Sequence, residues 1–195
     1  MYPISRTIAA IAVASIFSFG MAPSSYASSI ISAVEIGGDV VVTSAAGGSL
    51  DLTGLTLDSQ TTRGAGILAS GGLVAIGAPG LADTYTGLTS RPSDFGVGGF
   101  FGAPPSTSGP YLGVQTALSV SAGYVSGSIL DVSSAVWAGQ TFATLGMTPG
   151  TYVWTLPSAD TVTLNVGSAA VPVPAAVWLF GSALGLLGWM RRRQS

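Results

Sequence analysis

Carboxylate side chains are the groups of this chain that are best suited to chemistry. Two of them on either side of a glycosidic bond can hydrolyse it, and several together can bind calcium. The sequence holds eight, which are Glu35, Asp39, Asp51, Asp58, Asp83, Asp94, Asp131 and Asp160. They are scattered, and no Asp-x-Asp-x-Asp loop occurs. Glycosidase and calcium chemistry therefore stay open as alternatives, while roles in turns and in solvation are favoured.

The residue types that are absent exclude most other catalytic chemistry. The chain has no histidine and no cysteine, and all six of its basic residues are arginine. A serine nucleophile would lack its usual base, and no imidazole or thiolate is present to bind a metal ion. The glycine run at 96–99 is not followed by the lysine of a phosphate-binding loop. The sequence therefore favours a protein that is not an enzyme and predicts neither a cofactor nor a metal site.

Charge is sparse and unevenly distributed along the chain. Charged residues make up 7% of it, whereas about a quarter is usual in soluble domains. All eight acids lie between two apolar ends, and only Arg63 and Arg91 lie among them, which leaves this middle region with six excess negative charges. Two isolated arginines cannot neutralise a run of phosphates, so we expect no nucleic-acid partner.

Aromatic residues are the remaining candidates for binding. Six of them lie in segments rich in glycine or turn residues: Tyr85, Phe95, Phe100, Phe101, Tyr111 and Tyr124. Exposed rings of this kind can stack on sugar rings, and a weakly charged surface suits neutral polysaccharide. Packing in a core beneath loops is the favoured alternative for these rings.

The N-terminal segment has the regions of a secretory signal peptide. Arg6 precedes an apolar run at 8–19, and the small-residue pattern Ser25-Tyr26-Ala27 follows. This order predicts a signal helix within 1–27 with cleavage after Ala27, so that Ser25 and Ala27 specify the cleavage site. A buried N-terminal helix is disfavoured because the run has no polar face at helical spacing.

The C-terminal segment predicts a short transmembrane helix. An apolar run at 175–190 ends at Arg191, Arg192 and Arg193. A helix of this length spans about 24 Å, which is short for a hydrocarbon core of ~30 Å, but arginines can snorkel to the headgroups. The positive-inside rule places the three arginines in the cytoplasm, so residues 28–168 are expected to face outward. A core helix at this position is the disfavoured alternative.

The tail at 171–195 resembles the sorting signal of the PEP-CTERM proteins of Gram-negative bacteria. The resemblance rests on Val171-Pro172-Val173-Pro174, the apolar helix after it and the basic end. Most members have glutamate between the prolines, where this chain has Val173. The resemblance implies that an exosortase recognises the motif and removes the tail. Anchoring in the inner membrane would then be transient, and the product would reach the cell envelope or the extracellular space.

The middle region, 28–168, has the pattern of a β domain. Alternating segments at 32–36 and 40–43 flank a glycine turn, those at 67–69 and 73–76 flank another, and those at 151–156 and 161–166 form a third pair. We expect a mainly β fold, an antiparallel sandwich or barrel-like sheet. The sequence also predicts a strand at 49–57 with a bulge at Gly54, a long loop at 93–108 and one helical turn at 141–145 closed by Gly146.

The segments at 123–128 and 141–154 resemble the ectodomain that is common in short PEP-CTERM proteins. This resemblance implies no established activity. Because exosortase systems accompany exopolysaccharide production, the resemblance implies an exported matrix protein associated with exopolysaccharide. A carbohydrate- or calcium-dependent adhesin is the alternative, and a polysaccharide-active enzyme is the third hypothesis.

Overall fold

A computed structural model describes residues 28–167 of the chain. The predicted signal peptide with Ser25 and Ala27 lies outside the described residues. So do the tail motif from Val171 to Pro174, the predicted helix at 175–190 and the arginines 191–193. Within residues 28–167, no helix has the length and apolar character needed to cross a membrane.

The described part of the chain is mainly β, as the sequence predicts. Its thirteen strands are β1 Ser28–Ile36, β2 Asp39–Ser44, β3 Thr56–Arg63, β4 Gly66–Leu68, β5 Leu73–Ile76, β6 Gly80–Thr86, β7 Phe100–Gly102, β8 Ser106–Ser108, β9 Leu112–Val114, β10 Leu118–Ser121, β11 Ser134–Trp137, β12 Gly150–Thr155 and β13 Thr161–Val166. One short α-helix, α1, covers Phe142–Leu145, and a 3-10 helix covers Ala69–Gly71.

The strands form two sheets of the kind found in β sandwiches. The first has six strands in the order β12-β13-β1-β2-β11-β8, and the second has seven in the order β3-β6-β10-β9-β5-β4-β7. Neighbouring strands are antiparallel except β1 and β13, which pair in parallel at the centre of the six-stranded sheet. The described chain therefore begins and ends on two neighbouring central strands.

Alternation along the strands builds the core between the sheets. In β13 the predicted inward residues Val162, Leu164 and Val166 are buried, and in β12 the Trp154 side chain is fully buried. Residues of the seven-stranded sheet, such as Val120, belong to the same cluster. Each strand places every second residue on this shared face, so the opposite face of each sheet is an outer face.

Two local predictions are confirmed by the backbone. Gly37 and Gly38 both have positive φ, and this turn joins β1 to β2. The predicted helical turn is α1, where the Thr141 side chain accepts a hydrogen bond from the Thr144 amide at 3.1 Å. Gly146 ends the helix in the left-handed conformation, with φ of 63°. Glycine suits that position because a Cβ would strain it.

The predicted strand at 49–57 is wrong over most of its length. Strand β3 begins only at Thr56, and Gly54 lies in a turn with φ of 85°. A methyl group at Gly54 would lie 2.7 Å from Cβ of Pro157, so close packing against the chain also requires glycine there. A bulge does occur in this region, but it lies between Leu57 and Ser59.

The predicted long loop at 93–108 is only partly a loop. It contains β7, which pairs with β4, and β8, which pairs with β11. Both strands are edge strands of three residues. An edge strand needs hydrogen-bond partners on one side only, so short segments among glycines and prolines are sufficient.

Candidate functional site

The outer face of the seven-stranded sheet carries a row of small residues. Strand register places them side by side across six neighbouring strands, in the order Thr84, Ser119, Gly113, Ala75, Gly66 and Gly102. Larger side chains from the same face lie over this row. The row therefore forms a floor on which those side chains rest.

Tyr111 is the largest side chain that lies over the floor. A methyl group at Gly113 would be 2.6 Å from the Tyr111 hydroxyl oxygen and 3.1 Å from Cβ of Ala75. The ring therefore occupies the space that only glycine leaves open. Only 5% of Tyr111 is exposed, and it packs with Ala75, Ala82 and Leu73 in a small cluster separate from the main core.

A hydrogen-bonded chain of side chains runs beside Tyr111. The Arg63 guanidinium donates through Nε to the Thr84 hydroxyl at 3.2 Å, and that hydroxyl shares a hydrogen bond of 3.0 Å with Ser119. Thr84 and Ser119 are buried, whereas Arg63 is exposed. The two buried hydroxyls thus fix the position of the exposed Arg63 guanidinium.

These groups border a concave site that we call the arginine pocket, lined by Arg63, Thr84, Tyr111, Gly113, Gln115 and Ser119 among others. Its volume is about 100 Å³. A water molecule takes up about 30 Å³ in the liquid, so the pocket has room for roughly three waters. It can accept one small polar group of a ligand, but it is too small for a whole sugar ring.

The Tyr111 hydroxyl, which borders this pocket, has no hydrogen-bond partner among residues 28–167. No fully buried side-chain oxygen or nitrogen lacks a hydrogen bond in the described structure, so this oxygen must reach the pocket opening. Burial raises the pKa of Tyr111 above its usual value, and the nearby charge of Arg63 offsets part of that rise. The phenol is therefore a neutral hydrogen-bond donor at physiological pH.

Phe100 forms a second feature of the same face. Methyl groups at Gly66 and Gly102 would lie 2.8 Å and 2.7 Å from atoms at the far end of the Phe100 ring, so the ring lies against the two glycines. The residue is nevertheless 65% exposed. An open hollow of about 470 Å³ lies beside it, lined also by Pro79 and Pro104. An exposed ring supported from below is a surface on which a flat apolar group can stack.

The six aromatic residues singled out in the sequence divide between core and surface. Phe95 is fully buried, and Tyr85 and Phe101 pack against the main core. Tyr124 acts as a structural clamp, since its hydroxyl donates to the carbonyl of Leu50 at 3.0 Å and accepts from the Leu50 amide at 2.9 Å. Tyr111 and Phe100 lie on the outer face, but Tyr111 is buried there in its own cluster. The packed interpretation therefore holds for five of the six rings, and only Phe100 is an exposed ring.

Most carboxylates hold loops together. Asp51 accepts from the Thr53 amide and hydroxyl and from Ser126, and these hydrogen bonds lower its pKa. Asp160 is buried and accepts from the Asp51 amide at 2.6 Å. Glu35, Asp39, Asp83 and Asp94 accept hydrogen bonds from Phe142, Gly139, Gln60 and Ser93 respectively. Several of these hydrogen-bond donors are distant in sequence from the carboxylates that they contact, so the turn pattern around each carboxylate does not predict them.

Asp83 and Asp94 take no part in either feature of the outer face. Asp83 accepts from the Gln60 amide at 2.6 Å and from the Gly123 backbone at 3.2 Å, so it supports the sheet. Asp94 accepts from its neighbour Ser93. Neither residue lines the arginine pocket or the hollow beside Phe100.

Metal-binding potential is low in the part of the chain that the structure describes. Between residues 28 and 167, no three carboxylates come close enough together to hold a metal ion.

The sequence shows Arg63 as an isolated basic residue in an acidic region. It contains no signal that Arg63 and Tyr111 border the same pocket. That contact depends on the positions of strands β3 and β9, which the sequence pattern does not indicate.

Comparison of the chain with protein-family models, with curated proteins and with solved structures finds no match.

Proposed function

We propose that this protein is an exported, non-enzymatic component of the cell envelope or extracellular matrix that associates with exopolysaccharide. The observation that carries the proposal is the order of segments along the chain. A signal-peptide pattern comes first, an acidic β domain follows, and a proline-bounded apolar tail with three arginines comes last. The proposed route is export, brief anchoring in the inner membrane, and release when an exosortase removes the tail.

The outer face of the seven-stranded sheet supports association with a polysaccharide. It offers a polar pocket of the size of a sugar substituent and an exposed, supported aromatic ring. Sugar recognition in proteins combines such polar groups with aromatic surfaces. The second candidate function, an adhesin with a defined carbohydrate site, is favoured by the same pocket. Calcium dependence has no support from the carboxylate positions within residues 28–167.

A non-enzymatic role is supported by how the carboxylates are used. Asp51 and Asp160 are neighbours, but Asp160 is only 4% exposed and its carboxylate is bound to the Asp51 amide. A glycosidase needs two carboxyl groups that both reach the substrate. A polysaccharide-active enzyme therefore remains the third hypothesis.

Intact-mass analysis of the protein from cells with and without their exosortase tests the proposed route. We expect a shortened species in normal cells and a species that still ends at Ser195 in cells without the enzyme. Pro172→Ala combined with Pro174→Ala is the matched variant, since it allows the helix to extend through the motif and should block removal of the tail. A mature protein ending at Ser195 in normal cells would show instead that the tail is a permanent anchor.

Cell fractionation tests the association itself. We expect the released protein to sediment with the polysaccharide fraction and to become soluble when synthesis of the polysaccharide is abolished. A protein that is released in the same amount with and without the polysaccharide would contradict the proposed association.

A further inference from the structure

We infer that the outer face of the seven-stranded sheet binds a polysaccharide in which some of the sugars carry a carboxylate. The carboxylate enters the arginine pocket, and a neighbouring sugar ring stacks on Phe100. This inference rests on the proposed association with exopolysaccharide and adds the chemical class of the polymer and the residues that recognise it.

The donors in the arginine pocket match a carboxylate. Arg63 uses Nε to donate to Thr84, which leaves the two terminal nitrogens of its guanidinium for a ligand. Guanidinium and carboxylate form paired, charge-assisted hydrogen bonds that are stronger than neutral ones. The Tyr111 hydroxyl supplies a further donor to the same pocket. A volume of about 100 Å³ accommodates a carboxylate and leaves the rest of the sugar outside.

The net charge of residues 28–167 restricts the kind of polymer. Residues 28–167 contain eight acids and only two arginines, Arg63 and Arg91. A polymer with a charge on every unit would be repelled by most of this surface. A polymer with a carboxylate on only some of its sugars can satisfy Arg63 and avoid that repulsion. The same argument disfavours nucleic acid, in which every unit is charged.

The positions of the two features suit one extended ligand. Gly113 lies beneath Tyr111 in the pocket, and Gly66 and Gly102 lie beneath Phe100, all in one row across the sheet. Adjacent strands are about 4.8 Å apart, so the stretch of row from Gly113 to the two glycines covers roughly 10 to 14 Å. A chain of a few sugars bridges this distance along the outer face.

Calorimetric titration of the full chain in detergent micelles tests the carboxylate requirement. The probe is a short xylo-oligosaccharide that carries one glucuronate, and its matched control is the same molecule with the carboxyl group reduced to an alcohol. We expect binding to the first and at least about tenfold weaker binding to the second, because the charge-assisted pair is lost. Equal affinity for the two, or no binding to either, would overturn the inference.

Substitutions of Arg63 and Tyr111 test whether the glucuronate probe binds in the arginine pocket. Arg63→Gln should weaken binding of the glucuronate probe about tenfold or more, and Arg63→Lys should restore part of it because the charge remains. Tyr111→Phe keeps the ring and removes only the hydroxyl donor, so a loss of a few fold is expected. Arg91→Gln is the matched control with the same loss of charge, and its affinity should be unchanged. A similar loss in both arginine variants would mean general electrostatic attraction and would contradict a defined pocket.

The proposed stacking on Phe100 is tested by changing the length of the ligand. Phe100→Ala should weaken binding of the oligosaccharide several fold and leave binding of free glucuronate unchanged, because the stacked ring belongs to a neighbouring sugar. An equal effect on both ligands, or on neither, would remove Phe100 from the site.

Fractionation of the wild type, compared with its binding of the glucuronate probe, separates this inference from the proposed function. If the wild type sediments with the polysaccharide but does not bind the glucuronate probe, the inference fails and the proposed association stands. If it binds the probe but does not sediment with the polysaccharide, the proposed association fails and the site stands.

Discussion

On the outer face of the six-stranded sheet, Val41, Thr163 and Val153 remain partly or fully exposed, as expected for a sheet with one face in solvent. On the outer face of the seven-stranded sheet, Ala82, Thr84 and Tyr111 are buried, although they point away from the shared core. In both sheets, successive residues of a strand point to opposite faces. They differ in the sizes of neighbouring residues on the outer face.

The contrast arises from combining large and small side chains. Gly113 and Gly66 leave room for Tyr111 and Phe100 to lie across the sheet, so some outer residues are covered and concave sites remain between them. The other sheet carries β-branched residues and serines of similar size, such as Thr161, Thr163 and Val136, which give an even surface. Glycine thus allows large side chains to lie across this sheet and leaves concave sites between them.

The largest effect is expected from Trp154, which joins the two sheets. Its ring is fully buried in the shared core, and its Nε1 donates to the carbonyl of Gln115, a residue of the arginine pocket, at 3.0 Å. Trp154→Ala should lower the free energy of unfolding by about 3–5 kcal/mol. Trp154→Phe keeps most of the ring and should cost less. Chemical denaturation of the full chain measures both values, and a loss below 1 kcal/mol for the alanine variant would contradict its central role in the core.

Gly113→Ala tests whether glycine is required beneath Tyr111. The new methyl group would lie 2.6 Å from the hydroxyl oxygen of Tyr111, so the ring must move. We expect a loss of about 1–3 kcal/mol in the free energy of unfolding, as is typical of overpacking. Gly80→Ala is the matched control in the same sheet, because no atom lies within 4 Å of its added methyl group. Similar stabilities for the two variants would mean that Tyr111 does not rest on Gly113.

Thr84→Val compares the two outer faces directly. The substitution keeps the shape of the side chain but removes the hydroxyl that binds Arg63 and Ser119. Because Ser119 is buried, its unpaired hydroxyl should cost about 1 kcal/mol or more. Thr163→Val makes the same change on the even face of the other sheet, where we expect an effect within about 0.5 kcal/mol. Equal changes in thermal denaturation would remove the distinction between the faces.

The sequence predicts the six-stranded sheet better than the seven-stranded one. The hairpin around Gly37, the strand with Trp154 and the inward residues of β13 are confirmed, because regular alternation with a short turn identifies both strands and their register. Strands β6, β9 and β10 were not identified. In β6, the neighbouring residues Asp83 and Thr84 are both buried, so alternation of hydrophobic and polar residues is lost. Strands β9 and β10 have only three and four residues, which is too short for an alternating pattern to identify them.

The candidate site was predicted only in part for the same reason. The sequence indicates Phe100 and Tyr111 as candidate binding residues because they are aromatic and lie among glycines and turn residues. The structure places both on one outer face. Arg63 was noticed only as an isolated charge. Its distance from Tyr111 is set by the order of β3, β6, β10 and β9 in the sheet, and a single sequence contains no direct signal of strand order.

The smallest effect is expected in the pH dependence of stability. Burial keeps Tyr111 neutral in the folded state to a pH above its usual value of 10.0. The unfolded chain then loses this proton first and binds fewer protons, so stability should decrease as pH rises above 10. Tyr111→Phe removes this contribution, whereas Tyr85, whose pKa is also raised, remains in both proteins. The wild type should therefore lose more stability than the variant between about pH 9 and pH 11 in chemical denaturation. Arg63→Gln removes the charge that partly offsets the burial, so it should raise the pKa of Tyr111 further. The decrease should then begin at the same pH, which the unfolded chain sets, but continue to higher pH. Identical pH profiles for the wild type and Tyr111→Phe would mean that the phenol is solvated like an ordinary tyrosine, and the outer faces of the two sheets would then be equivalent in this respect.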